Sequence, residues 1–127
     1  RHANAGHPNP MLLRRGAGVV EWLGMPGSAQ IPLGLRSDTV YPDARTPVAD
    51  RDSIVLLTDG IYEEENKAGE EFGPKRLIAA ATKRMEEPCE KLLGNLLRDT
   101  QRFAGHEEFA DDVCLVGIDV MNGGARK

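Results

Sequence analysis

Two short apolar runs, Met11 to Leu13 and Val19 to Leu23, flank the polar stretch Arg14-Arg15-Gly16-Ala17-Gly18. Strand-length runs around a Gly-containing loop predict a β-hairpin, and Val19, Val20 and Trp22 carry strand-favouring side chains. Gly24 to Pro47 is rich in Gly, Pro, Ser and Asp and predicts loops around a short segment near Ile31 to Leu35, where Gly34 permits a turn that a Cβ would forbid. Ser53 to Thr58 is apolar without alternation and closes on Asp59-Gly60. That pattern predicts a central strand covered on both faces. Glu63 to Gly73 is acidic and loop-like, with Glu63, Glu64 and Glu65 expected as a solvated turn.

The periodicity then changes. After Pro74, which suits a first helical turn, Leu77, Ile78, Ala81 and Met85 fall on one helical face. Pro88 opens a second helix in the same way, with Cys89, Leu92, Leu93, Leu96, Leu97 and Phe103 as its buried stripe. Gly94 inside it costs about 1 kcal/mol relative to Ala, and Gly105 is a suitable stop. Val113 to Val120 predicts a last strand, and Asn122 to Lys127 a polar, frayed tail. Strands, two helices and a strand, in that order, favour a mixed α+β layer fold.

Composition narrows the function classes. With 40% hydrophobic residues the chain can fill a core, and its formal charge of −4 argues against nucleic-acid binding, which needs clustered cations. No apolar run approaches the roughly 20 residues of a membrane span. The N-terminus also lacks the apolar segment of a signal peptide. Cys89 and Cys114 match no zinc spacing and suit a reducing, cytoplasmic location.

The candidate chemistry lies at two strand ends. Asp59 follows one apolar run and Asp111 precedes another. If those strands are antiparallel neighbours, both carboxylates meet at one edge of the sheet. Two close carboxylates repel, and a divalent cation relieves that repulsion. Oxygen-only ligands suit Mg²⁺ or Mn²⁺. The plainer alternative is that Asp-Gly is a turn and Asp-Asp a solvated loop.

Five segments, taken together, resemble a known family. Asn4-Ala5-Gly6-His7-Pro8-Asn9-Pro10-Met11-Leu12-Leu13 resembles "N-A-G-H-x-P-x-L-L", and Pro32-Leu33-Gly34-Leu35 resembles "P-L-G-L". Asp52 to Glu63 resembles "D-x-L-L-L-Y-T-D-G-V-x-E", and Asn66 to Gly73 resembles "N-x-x-G-E-x-F-G". Ala110 to Val116 resembles "D-D-x-T-L-V". These are motifs of the bacterial metal-dependent serine/threonine phosphatases of the type 2C (PPM) superfamily, SpoIIE/RsbU-like branch. The resemblance runs from Asn4 to about Val120.

It implies an α-β-β-α sandwich with mostly antiparallel sheets. It implies two Mn²⁺ or Mg²⁺ ions bridging a hydroxide that attacks a phosphoserine or phosphothreonine in line. Asp59 and Asp111 would be metal ligands and Asp112 an outer-shell support. Gly60 would let the backbone turn tightly beside the metal. His7 and Asn4 would line the site or substrate, against the alternative that they hold their loop by backbone hydrogen bonds. The implied substrate is a phosphorylated STAS-type anti-sigma-factor antagonist, with an upstream sensor or receiver domain in the same protein.

The family's N-terminal "G-D-x-x-G-H-G" motif does not occur. The chain starts at Arg1, and only three residues precede Asn4. Residues 1–121 are therefore expected to be the C-terminal portion of a PPM-type domain, with 122–127 as a tail. This portion alone would bind metal weakly and be nearly inactive. An open sheet edge would allow a homodimer. The competing reading is a non-catalytic pseudo-phosphatase module that acts by protein binding.

Overall fold

The computed structural model describes residues 1–24 and 31–121. The expected tail at 122–127 lies outside the described residues. Seven elements follow one another: β1 (Met11–Arg14), β2 (Val19–Trp22), β3 (Ser53–Leu57), a single 3₁₀ turn (Asp59–Ile61), α1 (Gly73–Lys83), α2 (Cys89–Ala104) and β4 (Leu115–Asp119). The strands form one antiparallel sheet in the order β2-β1-β3-β4.

The hairpin is where the pattern places it. Ala17 N–H donates to the Arg14 carbonyl at 3.1 Å, and the register sets Met11 opposite Trp22 and Leu13 opposite Val20. β1 lies between two neighbours, so Met11, Leu12 and Leu13 are all buried. β3 is central as well, with Ile54 and Leu56 only half-buried on the second face.

One face of the sheet packs on both helices. Met11, Leu13, Val55 and Leu57 meet Leu77, Ala81, Leu92 and Leu96 in a single core. Each such side chain contributes about 1.5–3 kcal/mol by leaving water. α1 carries proline in its first turn, and α2 ends on Gly105 at φ 84°, with Gly105 N–H donating to the Gln101 carbonyl at 2.8 Å. A half-buried Arg84–Asp99 pair at 2.8 Å ties the helices together. α2 starts so close to β4 that a Cβ on Gly117 would overlap Cys89 Sγ.

The other face is thinly covered. Val116 and Ile118 remain 49% and 46% exposed. The N-terminal segment crosses part of this face, anchored by the His2–Ala44 bridge, and leaves a cavity of about 370 Å³ against Ile54, Leu56 and Ile118. Helix pair and sheet thus make two layers, the α-β half of an α-β-β-α sandwich. Among the described residues no helix is long and apolar enough to cross a membrane.

Candidate metal centre

β3 and β4 pair with Leu57 opposite Leu115. The residues that leave β3 and those that enter β4 therefore share one end of the sheet. Thr58 extends the ladder by one step, its N–H donating to the Cys114 carbonyl at 3.1 Å. The Thr58 hydroxyl then donates to the Asp112 carbonyl and accepts from Cys114 N–H, both at 2.9 Å. A hydroxyl can do both at once. It clasps the Asp112 backbone to the turn that bears Asp59.

Gly60 makes the clasp fit. A Cβ there would stand 2.9 Å from the Asp112 carbonyl oxygen and 3.2 Å from Val113 Cγ2. Its φ is not in the left-handed region. The reason for glycine is therefore close backbone approach, where the sequence suggested a tight turn. The Asp59 carbonyl accepts from Tyr62 and Glu63 N–H at 2.9 and 3.0 Å, which closes the 3₁₀ turn.

Asp59, Asp111 and Asp112 are all exposed. Asp111 Oδ1 accepts from Asp112 N–H at 2.7 Å. Among the described residues no cationic side chain pairs with any of the three. Their charge is felt next door. The Glu63 carboxyl is held above the usual carboxylate range by loss of hydration, then by the charges of Asp59, Glu71 and Asp111. The Tyr62 phenol is raised by burial, then by Asp59 and Glu63. Asp59 and Asp111 thus act on a common neighbour.

This donor set fits a hard divalent cation: carboxylate oxygens with free lone pairs and no cationic partner among the described residues. Among the described residues no three His, Cys, Asp or Glu side chains converge to hold an ion unaided.

Asn4 and His7 hold their own loop. Asn4 Nδ2 donates to the His7 carbonyl at 2.8 Å, Asn4 Oδ1 accepts from His7 N–H at 2.9 Å, and His7 Nδ1 meets the Pro8 carbonyl at 2.8 Å. Both border the cavity on the thinly covered face. Gly6 between them, at φ 88°, lies so near Pro32 that a Cβ would come within 2.8 Å of it, docking the first family-like segment on the second. No hydrogen bond or ion pair among the described residues joins Asn4 or His7 to Asp59 or Asp111.

Sequence reasoning missed two residues. Thr58 was counted only as the end of an apolar run. Glu64 was expected in solvent, yet it is 4% exposed, while Glu63 and Glu65 are exposed as expected. The correction has a physical cause: the segment entering β4 folds over Glu64 and supplies a hydrogen bond from Ala110 N–H.

The chain matches the family described as Stage II sporulation protein E (SpoIIE) over residues 1–121. No curated protein matches it. Among solved structures it is similar to the SiaA-PP2C domain of Pseudomonas aeruginosa, with 17% identity and TM-score 0.71, covering 91% of this chain and 44% of that one. It is also similar to the RsbU and RsbW domains of Rv1364c from Mycobacterium tuberculosis, with 24% identity and TM-score 0.66, covering 92% of this chain and 31% of that one. The chain therefore spans less than half of each of these solved relatives, and the likeness shows a shared PP2C-type fold.

Proposed function

This chain belongs to the SpoIIE family, and on that premise we propose that residues 1–121 form the C-terminal portion of a metal-dependent phosphatase domain acting on phosphoserine or phosphothreonine. Asp59 and Asp111 are its contribution to a Mn²⁺ or Mg²⁺ site. The observation that carries this reading is their convergence at the β3–β4 end, with no cation paired to them among the described residues and a shared effect on Glu63.

Divalent cations bound there would supply Lewis acidity toward water and toward a phosphoryl oxygen. The chain's own residues hold the frame. Thr58 and Gly60 fix the distance between the two acidic turns, and Asp112 N–H orients the Asp111 carboxylate. The remaining ligands come from outside this chain. The half-exposed Val116 and Ile118 face is where a second sheet packs in the complete sandwich.

The substrate in this reading is a phosphorylated STAS-type anti-sigma-factor antagonist in the cytoplasm, downstream of a sensor or receiver domain. Support comes from the family and from the likeness to a chain that carries RsbU and RsbW domains. The absence of a three-ligand cluster among the described residues favours one other reading, a pseudo-phosphatase that acts by binding. Turnover of a phosphoprotein by the complete protein with Mn²⁺ separates the two. Asp59→Asn and Asp111→Asn should each abolish metal-dependent turnover with the circular dichroism spectrum unchanged. Wild-type rates in both would sink the assignment.

A further inference from the structure

A buried carboxylate sits behind the acidic rim. Glu64 is 4% exposed between two solvated glutamates. An ionised side chain is costly to bury unless it is paired and hydrogen-bonded. Both of its oxygens are engaged by the segment between α2 and β4. Oε2 accepts from Ala110 N–H at 3.0 Å, and Oε1 lies 3.5 Å from His106 Nε2. His106 Nδ1 is 2.7 Å from the Glu108 carbonyl.

The same segment is pinned at its other side, where Gln101 Nε2 donates to the Glu107 carbonyl at 2.8 Å. Glu64 is itself fixed by its own backbone, whose carbonyl accepts from Phe72 N–H at 2.8 Å. Ala110 immediately precedes Asp111. The N–H that Glu64 grips belongs to the Phe109–Ala110 peptide, one residue before Asp111, and the grip comes from the loop that begins at Asp59. Thr58 clasps the rim from the strand side, and Glu64 braces it from behind.

We propose that Glu64 is a positioning residue: its buried carboxylate holds the 106–110 segment so that Asp111 is presented beside Asp59 for a shared divalent cation. The proposal rests on the reading of Asp59 and Asp111 as metal ligands. A mere staple of the α2–β4 connection would act on stability alone. A positioning residue acts on metal affinity, and outer-shell partners of this kind are worth about 10–100-fold in affinity.

The experiment measures Mn²⁺ affinity by calorimetry, amide exchange across 106–112 by mass spectrometry, and the thermal midpoint, all in the complete protein. Glu64→Ala should weaken Mn²⁺ binding by about tenfold or more and speed exchange across the segment. Glu64→Gln keeps a carbonyl for Ala110 N–H and should recover most of both. Leu96→Ala, a core truncation in α2, should lower the midpoint and leave Mn²⁺ affinity unchanged. Wild-type affinity in Glu64→Ala overturns the proposal, as does an affinity loss no larger than that of Leu96→Ala at matched loss of midpoint. If Asp59→Asn and Asp111→Asn bind Mn²⁺ as the wild type does, the reading of the rim has failed and the positioning role falls with it. If they lose Mn²⁺ while Glu64→Ala keeps it, only the positioning role is overturned.

Discussion

The β3–β4 ribbon carries aspartates at both of its ends, and the protein treats them in opposite ways. At the Ser53/Asp119 end, Asp52 is 2% exposed and accepts from Ala49 N–H at 2.8 Å, while Ser53 Oγ donates to Asp119 at 2.6 Å. The Arg15 guanidinium stands 3.2 Å from that same hydroxyl. At the Leu57/Leu115 end, Asp59 and Asp111 are exposed, unpaired with any cation among the described residues, and close enough to Glu63 to raise its pKa. The Thr58 hydroxyl there serves the Asp112 carbonyl, and the hydrogen bond to Asp111 comes from its neighbour's N–H. Satisfied carboxylates lock a fold. Exposed carboxylates without a cationic partner stay free to take a ligand that is not protein, which is the role proposed for Asp59 and Asp111.

The contrast has measurable consequences. The largest is a difference in sign of response at the two ends. Asp52→Ala removes the buried carboxyl that accepts from the Ala49 N–H and should destabilise by about 1–3 kcal/mol. Asp59→Ala removes repulsion and should stay within about 0.5 kcal/mol of wild type, on the stabilising side. Urea denaturation reads both, and equal losses would erase the distinction between the ends.

Two glycines sharpen it further. Gly117→Ala drives a Cβ into Cys89 Sγ and should destabilise by about 1–3 kcal/mol through overpacking, part of which Cys89→Ala recovers. Gly60→Ala meets the Asp112 carbonyl, which cannot retreat without shifting Asp111. Its loss should fall more on Mn²⁺ affinity than on stability, measured by calorimetry beside thermal melting.

The smallest effect is on pH. With its folded pKa raised, Glu63 holds its proton more tightly in the native state than in the unfolded chain. Its contribution is full below the unfolded value and is lost as pH rises through the raised folded one. Mg²⁺ at the rim should lower that pKa. Carboxyl titration by carbon NMR with and without Mg²⁺ reads the change, and an unmoved Glu63 would place the cation elsewhere.

The fold was legible wherever a signal is local. The hairpin follows from two apolar runs around a Gly-containing loop, and α1 and α2 from 3.6-residue periodicity with Pro at their starts. Gly105 caps α2 as expected, although Pro88 stands just outside the helix it opens. The predicted last strand, Val113 to Val120, shortens to Leu115–Asp119 because Val113 and Cys114 belong to the clasp with Thr58. Glu64 was illegible: nothing in Glu63-Glu64-Glu65 says which carboxylate a distant segment will cover.

The sequence by itself determined the elements and the two acidic turns, because propensity, capping and periodicity act over a few residues. Only the tertiary structure decided that Asp59 and Asp111 share one end of a sheet, that Thr58 and Gly60 hold the Asp112 backbone against the turn bearing Asp59, and that the segment before Asp111 covers Glu64. Those facts depend on β3 pairing with β4 across two intervening helices, and that pairing is fixed by burying the apolar face of the sheet against α1 and α2.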